Sequence, residues 1–176
     1  TFNSIETIES AINSVLNQTY GNLEVLVVDN FSSDGTYDYI KQVKDQRLRH
    51  YQFANHGVIA ASRNFAVEKS NGSLISFLDS DDWWLPNKLE EVVHIADSGF
   101  QLIGHWEFWR VGSNDTLKRY DGLPNWRPFF WLLFHKNYFS TSSITLDKDL
   151  FINSGGFNED PEIVSAEDYD LWLRVV

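Results

Sequence analysis

Apolar positions in this chain switch between a helical period and short solid runs, and the switches divide the first hundred residues into alternating elements. Ile5, Ile8, Ile12, Val15 and Leu16 recur at helical spacing, and Asn3-x-x-Glu6 has the form of a capping box, so the pattern predicts an amphipathic helix over Ser4–Leu16. Gln18–Asn22 interrupts it. Leu23–Val28 then reads as a buried strand ending on Asp29-Asn30. Ser32–Thr36 is a turn rich in N-cap residues, and a helix carrying Tyr37, Ile40 and Val43 follows. Leu48–Phe53 is a second strand, Asn55-His56-Gly57 a turn, and Ile59–Val67 a helix of small residues that contains Arg63 and Asn64. After Asn71-Gly72 comes a third strand, Leu74–Leu78, which stops at Asp79-Ser80-Asp81-Asp82 and two tryptophans.

Downstream, Pro86 suits a helix start because its missing N–H costs nothing there. Leu89, Val92, Val93 and Ala96 carry that helix to Ser98-Gly99. Gln101–Val111 reads as a strand, and Gly112–Pro128 as a polar hairpin or mobile loop. Phe129–Phe134 belongs to a helix beginning near Asn125, Ser142–Leu146 to a strand, and Asp147–Ser154 to a short helix stopped by Gly155-Gly156. A last helix covers Ala166–Val176. Strand–helix alternation of this kind predicts an α/β fold with a mainly parallel central sheet and helices on both faces. Ligands of such sheets bind beyond the carboxyl ends of the strands, where Asp29 and Asp79 fall. With no repeat and no linker, residues 1–176 are expected to form one domain.

Composition narrows the partners. A 43% apolar and 22% charged chain is globular in character. Its net charge of −11 argues against a nucleic-acid backbone as partner, which would need a basic face. It does not argue against nucleotides, whose phosphates a metal ion can bridge to carboxylates. The chain has no cysteine, hence neither disulfides nor thiolate metal sites. The histidines at 50, 56, 94, 105 and 135 show no ligand spacing, so no zinc is expected. Walker-type phosphate loops and the Gly-x-Ser-x-Gly elbow are absent as well.

The chemistry is expected in the acids. Three carboxylates within Asp79–Asp82 repel one another unless something positive sits among them, and a divalent cation does this most simply. Mg²⁺ or Mn²⁺ takes few protein oxygens and completes its shell with phosphate and water. Asp81 is therefore the expected metal ligand, with Asp79 beside it toward the ribose or a metal-bound water, and Asp82 a helix cap. Glu167-Asp168 lies in the first turn of a helix, where acids also complement the helix dipole; at the same sheet edge one of them could serve as a general base. Asp29 could contact a nucleoside or merely form a turn. Arg63 is either a surface arginine or an anion-binding guanidinium.

Several stretches together resemble the family 2 nucleotide-sugar glycosyltransferases of the GT-A fold, a Rossmann-like nucleotide-binding architecture. They are Thr1-Phe2-Asn3, Leu16–Tyr20, Glu24–Asp29 with Ser32–Thr36, Ala61–Asn64, Phe77–Asp82, and Gly155–Glu159 with Glu167–Trp172. The resemblance implies an inverting, metal-dependent transfer of a sugar from a nucleoside-diphosphate donor, a UDP-sugar first, to a hydroxyl of a glycan or lipid-linked glycan. It implies Asp29 as a nucleoside contact, Arg63 near the base, Asp79 and Asp81 as the Asp-x-Asp pair on Mn²⁺ or Mg²⁺, and Asp168 as catalytic base with Glu167 as second choice.

The same comparison implies a domain truncated at both ends and lacking its first strand, and Asn30 stands where a second aspartate is frequent. A cytoplasmic location follows, at the inner face of the membrane, with any membrane association through segments outside this sequence. Two other readings stay open at this point: a sugar-nucleotide nucleotidyltransferase, and a non-catalytic nucleotide- or glycan-binding module holding a structural cation.

Overall fold

The computed structural model describes residues 1–111, 114–118, 128–134, 137 and 139–176. The first four elements are α1 (Ile8–Leu16), β1 (Val25–Asp29), α2 (Thr36–Gln42) and β2 (Leu48–Gln52). β1 and β2 pair in parallel, Val25 opposite Leu48 through Asp29 opposite Gln52. Ile8 and Ile12 of α1 and Ile40 of α2 pack on Val27 and Leu48 to form a first core. α1 starts later than its periodicity suggests, because the capping box does not form. Asn3 instead turns into the left-handed region at φ 47° and accepts the Ser33 N–H through Oδ1, 2.9 Å, while Thr7 caps the helix without a side-chain bond.

The next elements are α3 (Ile59–Lys69), β3 (Leu74–Ser76), α4 (Lys88–Asp97) and β4 (Leu102–Gly104). The single strand expected over 101–111 is broken at His105-Trp106 into β4 and β5 (Glu107–Val111). β5 forms an antiparallel hairpin with β6 (Asn114–Lys118). α5 (Pro128–Phe134) follows, and its expected start near Asn125 lies outside the described residues. The chain closes with β7 (Ile144–Asp147), α6 (Lys148–Asn153) and α7 (Glu167–Val175). α6 is capped by Asp147, whose carboxylate accepts the Leu150 N–H at 2.9 Å.

β7 refines the parallel expectation. It runs between β3 and β4 and pairs antiparallel with both, so β3 and β4 share a direction and β7 opposes them. A 3-10 turn at Thr141–Ser143 leads directly into it. Ile144 and Leu146 lie fully buried, and a second core gathers on them from Phe77, Phe151, Leu171 and Trp172. Each such side chain contributes about 1.5–3 kcal/mol on burial, which makes β7 the anchor of the C-terminal half.

Between β1 and β3 lies a cleft of about 1020 Å³, walled by residues 25–28 on one side and 74–78 on the other. Thr1 lies at the rim of the cleft in parallel register with β1: its amino group donates to the Val28 carbonyl at 2.6 Å, and the Asn30 N–H donates to the Thr1 carbonyl at 2.9 Å. Glu24 ties the opposite end by accepting the Gly72 N–H at 3.1 Å and the Arg49 guanidinium at 2.8 Å. No helix among the described residues is long and apolar enough to cross a membrane.

Candidate active site

Beyond β3 the chain stays extended for one more hydrogen bond, Phe77 N–H to the Ile144 carbonyl, and then turns. Ser142 organises that turn. Its Oγ accepts the Asp79 N–H at 3.0 Å and bonds the Asp82 carboxyl, while its carbonyl accepts the buried Trp84 indole N–H at 2.9 Å. Asp82 also donates its N–H to the Asp79 carbonyl, so the expected cap of the following helix does not form; Asn87 occupies that position. Burial pushes the Asp82 carboxyl above its ordinary range against the Ser142 bond, and Asp81, Asp79 and Glu107 add to the rise. The predicted self-repulsion of the acids is thus present. Asp81 is exposed, and no described residue donates to its carboxylate.

Arg63 connects this turn to α7. One amino group donates to Asp79 Oδ1 at 2.8 Å and the other to Glu167 Oε1 at 2.8 Å, while the guanidinium carbon lies 5.4 Å from the Phe157 ring centroid. The arginine is therefore held by two carboxylates and an aromatic face. Glu167 is only 6% exposed, and its Oε2 is buried without a partner among the described residues. Asp168, one residue on, is more open. It accepts the Tyr169 N–H at 2.6 Å and the Asn137 amide at 3.3 Å, and burial raises its pKa above the ordinary carboxylate value, with Glu167 adding to the rise and Arg63 opposing it.

Asp29 is fully buried at the end of β1. Its Oδ2 accepts the Ser32 N–H at 3.0 Å and its Oδ1 the Ser32 hydroxyl at 2.5 Å, with Gln52 at 3.4 Å. The turn-forming role left open by the sequence is the one these contacts support. Next to it the loops interlock: Asn3 N–H donates to Ser32 Oγ at 2.9 Å, and Asn55 N–H to Asn30 Oδ1 at 3.1 Å. Among the described residues, four non-glycine residues adopt left-handed φ: Asn3 at 47°, Phe31 at 55°, His56 at 52° and Ser165 at 73°. Three lie in these interlocked loops and the fourth stands two residues before Glu167. Backbone strain of this kind persists where the surroundings enforce it and concentrates at functional sites.

The structure thus brings Asp79, Asp81, Arg63, Glu167 and Asp168 to one edge and sets Asp29 beneath the neighbouring loop. Asp79 and Asp81 offer hard oxygen donors suited to a divalent cation that keeps phosphate and water in its shell. Among the described residues no three His, Asp or Glu side chains form a closed metal cage. Pattern reading missed Ser142, Asn137 and Asn64. Asn64 pairs with both backbone groups of Phe157, accepting its N–H at 2.9 Å and donating to its carbonyl at 2.8 Å. Its neighbour Gly156 has φ 67°, and a Cβ there would fall 2.9 Å from Asn64 Oδ1. Gly155-Gly156 was the available signal, read as a helix stop and as part of the family resemblance but not as a contact of Asn64.

The α/β fold, with paired acids and an arginine beyond the strand ends, is the GT-A fold, and solved structures share it. Staphylococcus aureus TarS 1-349 in complex with UDP-GlcNAc superposes with TM-score 0.80 at 23% identity, over 99% of this chain and 51% of that one. The mannosyltransferase PcManGT from Pyrobaculum calidifontis, in complex with GDP-Man and Mn²⁺, superposes with TM-score 0.67 at 22% identity, over 91% and 46%. At such identities the likeness is one of fold. Residues 1–157 match the profile of Glycosyl transferase family 2, and the chain belongs to that family.

Two Escherichia coli relatives are UDP-Glc:alpha-D-GlcNAc-diphosphoundecaprenol beta-1,3-glucosyltransferases. WfaP is 27% identical over 99% of this chain and 67% of its own length. WfgD is 33% identical over 99% and 66%. The chain spans about two thirds of these relatives and about half of the TarS chain. The nucleotidyltransferase reading finds no support in these matches.

Proposed function

We propose that residues 1–176 are the catalytic domain of an inverting glycosyltransferase that moves a sugar from a UDP-sugar to a hydroxyl of a lipid-linked glycan. The observation that carries this reading is Arg63, whose two 2.8 Å bonds hold the Asp79 turn and the Glu167-Asp168 helix in one site. The names of WfaP and WfgD specify a UDP-glucose donor and a diphosphoundecaprenol-linked acceptor, which supports that donor class and a lipid-linked acceptor.

In this reading Asp81 and Asp79 hold Mn²⁺ or Mg²⁺, which when bound neutralises the diphosphate leaving group. Asp168 accepts the proton of the acceptor hydroxyl. The acceptor oxygen forms its bond to the anomeric carbon from the face opposite the diphosphate, the carbon–phosphate-oxygen bond breaks, and UDP leaves with that electron pair. The raised pKa of Asp168 favours this role, because a base needs affinity for the proton it receives. Glu167 is the weaker candidate, being buried and bonded to Arg63. It acts instead as a positioning residue, holding Arg63 and through it Asp79.

The test is thermal stability of this chain with UDP, GDP and CDP, each with and without Mn²⁺. Binding to the native state raises the midpoint, and the largest rise is expected with UDP and Mn²⁺ together. A midpoint that none of the six conditions moves would sink the donor-site reading.

A further inference from the structure

Lys88, the first residue of α4, turns inward: it is 8% exposed, and among the described residues no carboxylate pairs with it. Its ammonium donates to Thr145 Oγ1 at 3.0 Å and lies 3.7 Å from the centroid of the Trp84 ring. Burial pulls its pKa down to about 7, so the charge is costly where it sits. Lysine is rarely buried without an ionic partner, and methionine would fill the same space without desolvating a charge. Packing alone therefore does not account for it.

Both groups that Lys88 touches lead to the acid turn. Trp84 is buried, its backbone N–H donating to Ser14 Oγ at 3.1 Å and its indole N–H to the Ser142 carbonyl at 2.9 Å. Ser142 Oγ in turn accepts the Asp79 N–H at 3.0 Å. Thr145 lies on β7, the strand that Ser142 feeds, so Lys88 bridges the exit of the acid turn and that strand.

We propose that Lys88 is a positioning residue for the metal–diphosphate end of the site, locking the Trp84 indole against Ser142 and through Ser142 fixing the backbone from which Asp79 and Asp81 project. The inference rests on the donor-site reading above. A cation on an indole face draws electron density from the ring and strengthens its N–H as a donor, so loss of the charge loosens the bond to Ser142 as well as the ring. A looser turn costs affinity for a metal diphosphate more than stability of the fold, because the acids lose their preorganisation.

Lys88→Met tests it, removing the charge while filling the space. Its melting midpoint without ligand should fall by no more than about 4 °C, since relief of a buried charge offsets the lost contacts. Isothermal titration of UDP in the presence of Mn²⁺ should nevertheless show affinity at least about threefold weaker than for the unaltered chain. Trp84→Phe, which keeps a ring and lacks the N–H, should weaken UDP by a similar factor, and adding Lys88→Met to it should weaken UDP by less than about twofold further, because the two act in series. A larger fall in the Lys88→Met midpoint makes Lys88 a prop of the fold, equal UDP affinity of Lys88→Met and the unaltered chain removes its link to the site, and additive losses in the double variant remove the route through Trp84. Each of these overturns this inference alone. Absence of UDP binding by the unaltered chain with Mn²⁺ overturns the donor-site reading and this inference with it.

Discussion

Replacing Arg63 by methionine separates the two carboxylates it holds. Glu167 and Arg63 have side chains only 8% and 14% exposed, so solvent screens their bond little. Asp79 is 44% exposed and returns to water when its partner is removed, so its bond adds little to stability. The cost therefore falls on Glu167, whose Oε2 already lacks a partner among the described residues and whose Oε1 would lose its own. Removing one partner of a buried ion pair costs about 3–5 kcal/mol, and we expect Arg63→Met to lie near the lower figure. For a chain of this size each kcal/mol lowers the midpoint by about 2–4 °C, which gives a fall of roughly 6–12 °C.

Adding Glu167→Gln should recover at least about half of that loss, since the buried charge is gone. Urea denaturation of the single and double variants measures both quantities as a mutant cycle. A loss below about 1 kcal/mol, or a double variant no more stable than Arg63→Met, would refute the argument that a buried Glu167 charge depends on this arginine.

Asp168→Asn in the full-length enzyme should retain UDP binding and abolish transfer, and surviving transfer would move the base elsewhere. Because burial raises the Asp168 pKa, the acid limb of the transfer rate against pH should lie above the ordinary carboxylate value of 3.8 and shift with substitution of Asn137. The folded pKa values of Asp82 and Asp168 both exceed their unfolded ones, so the native state binds more protons between the two values. Stability should thus fall as pH rises through that window, and Asp82→Asn should flatten the fall in thermal melts. Asp81→Ala should leave the melting midpoint of the bare chain within about 1 °C, as expected for an exposed side chain without partners, yet remove the extra stabilisation that Mn²⁺ adds to UDP. Gly156→Ala should cost at least about 2 kcal/mol in urea, from a left-handed alanine and from its Cβ meeting Asn64.

By itself the sequence determined the order of elements and the family, because both depend on local signals. The helical period of Ile8, Ile12 and Val15, the apolar run ending on Asp29, and the acids after β3 are each visible within a dozen residues. Tertiary structure decided what those signals do. It paired β7 antiparallel with both β3 and β4, and it left the capping box at Asn3 unused through a contact thirty residues away at Ser33. Arg63 could be read as an anion binder because its two partners lie 16 and 104 residues from it in the chain. Only folding brings such groups within 3 Å, and only their burial decides whether a carboxylate closes a turn, as Asp29 does, or stays open, as Asp81 does.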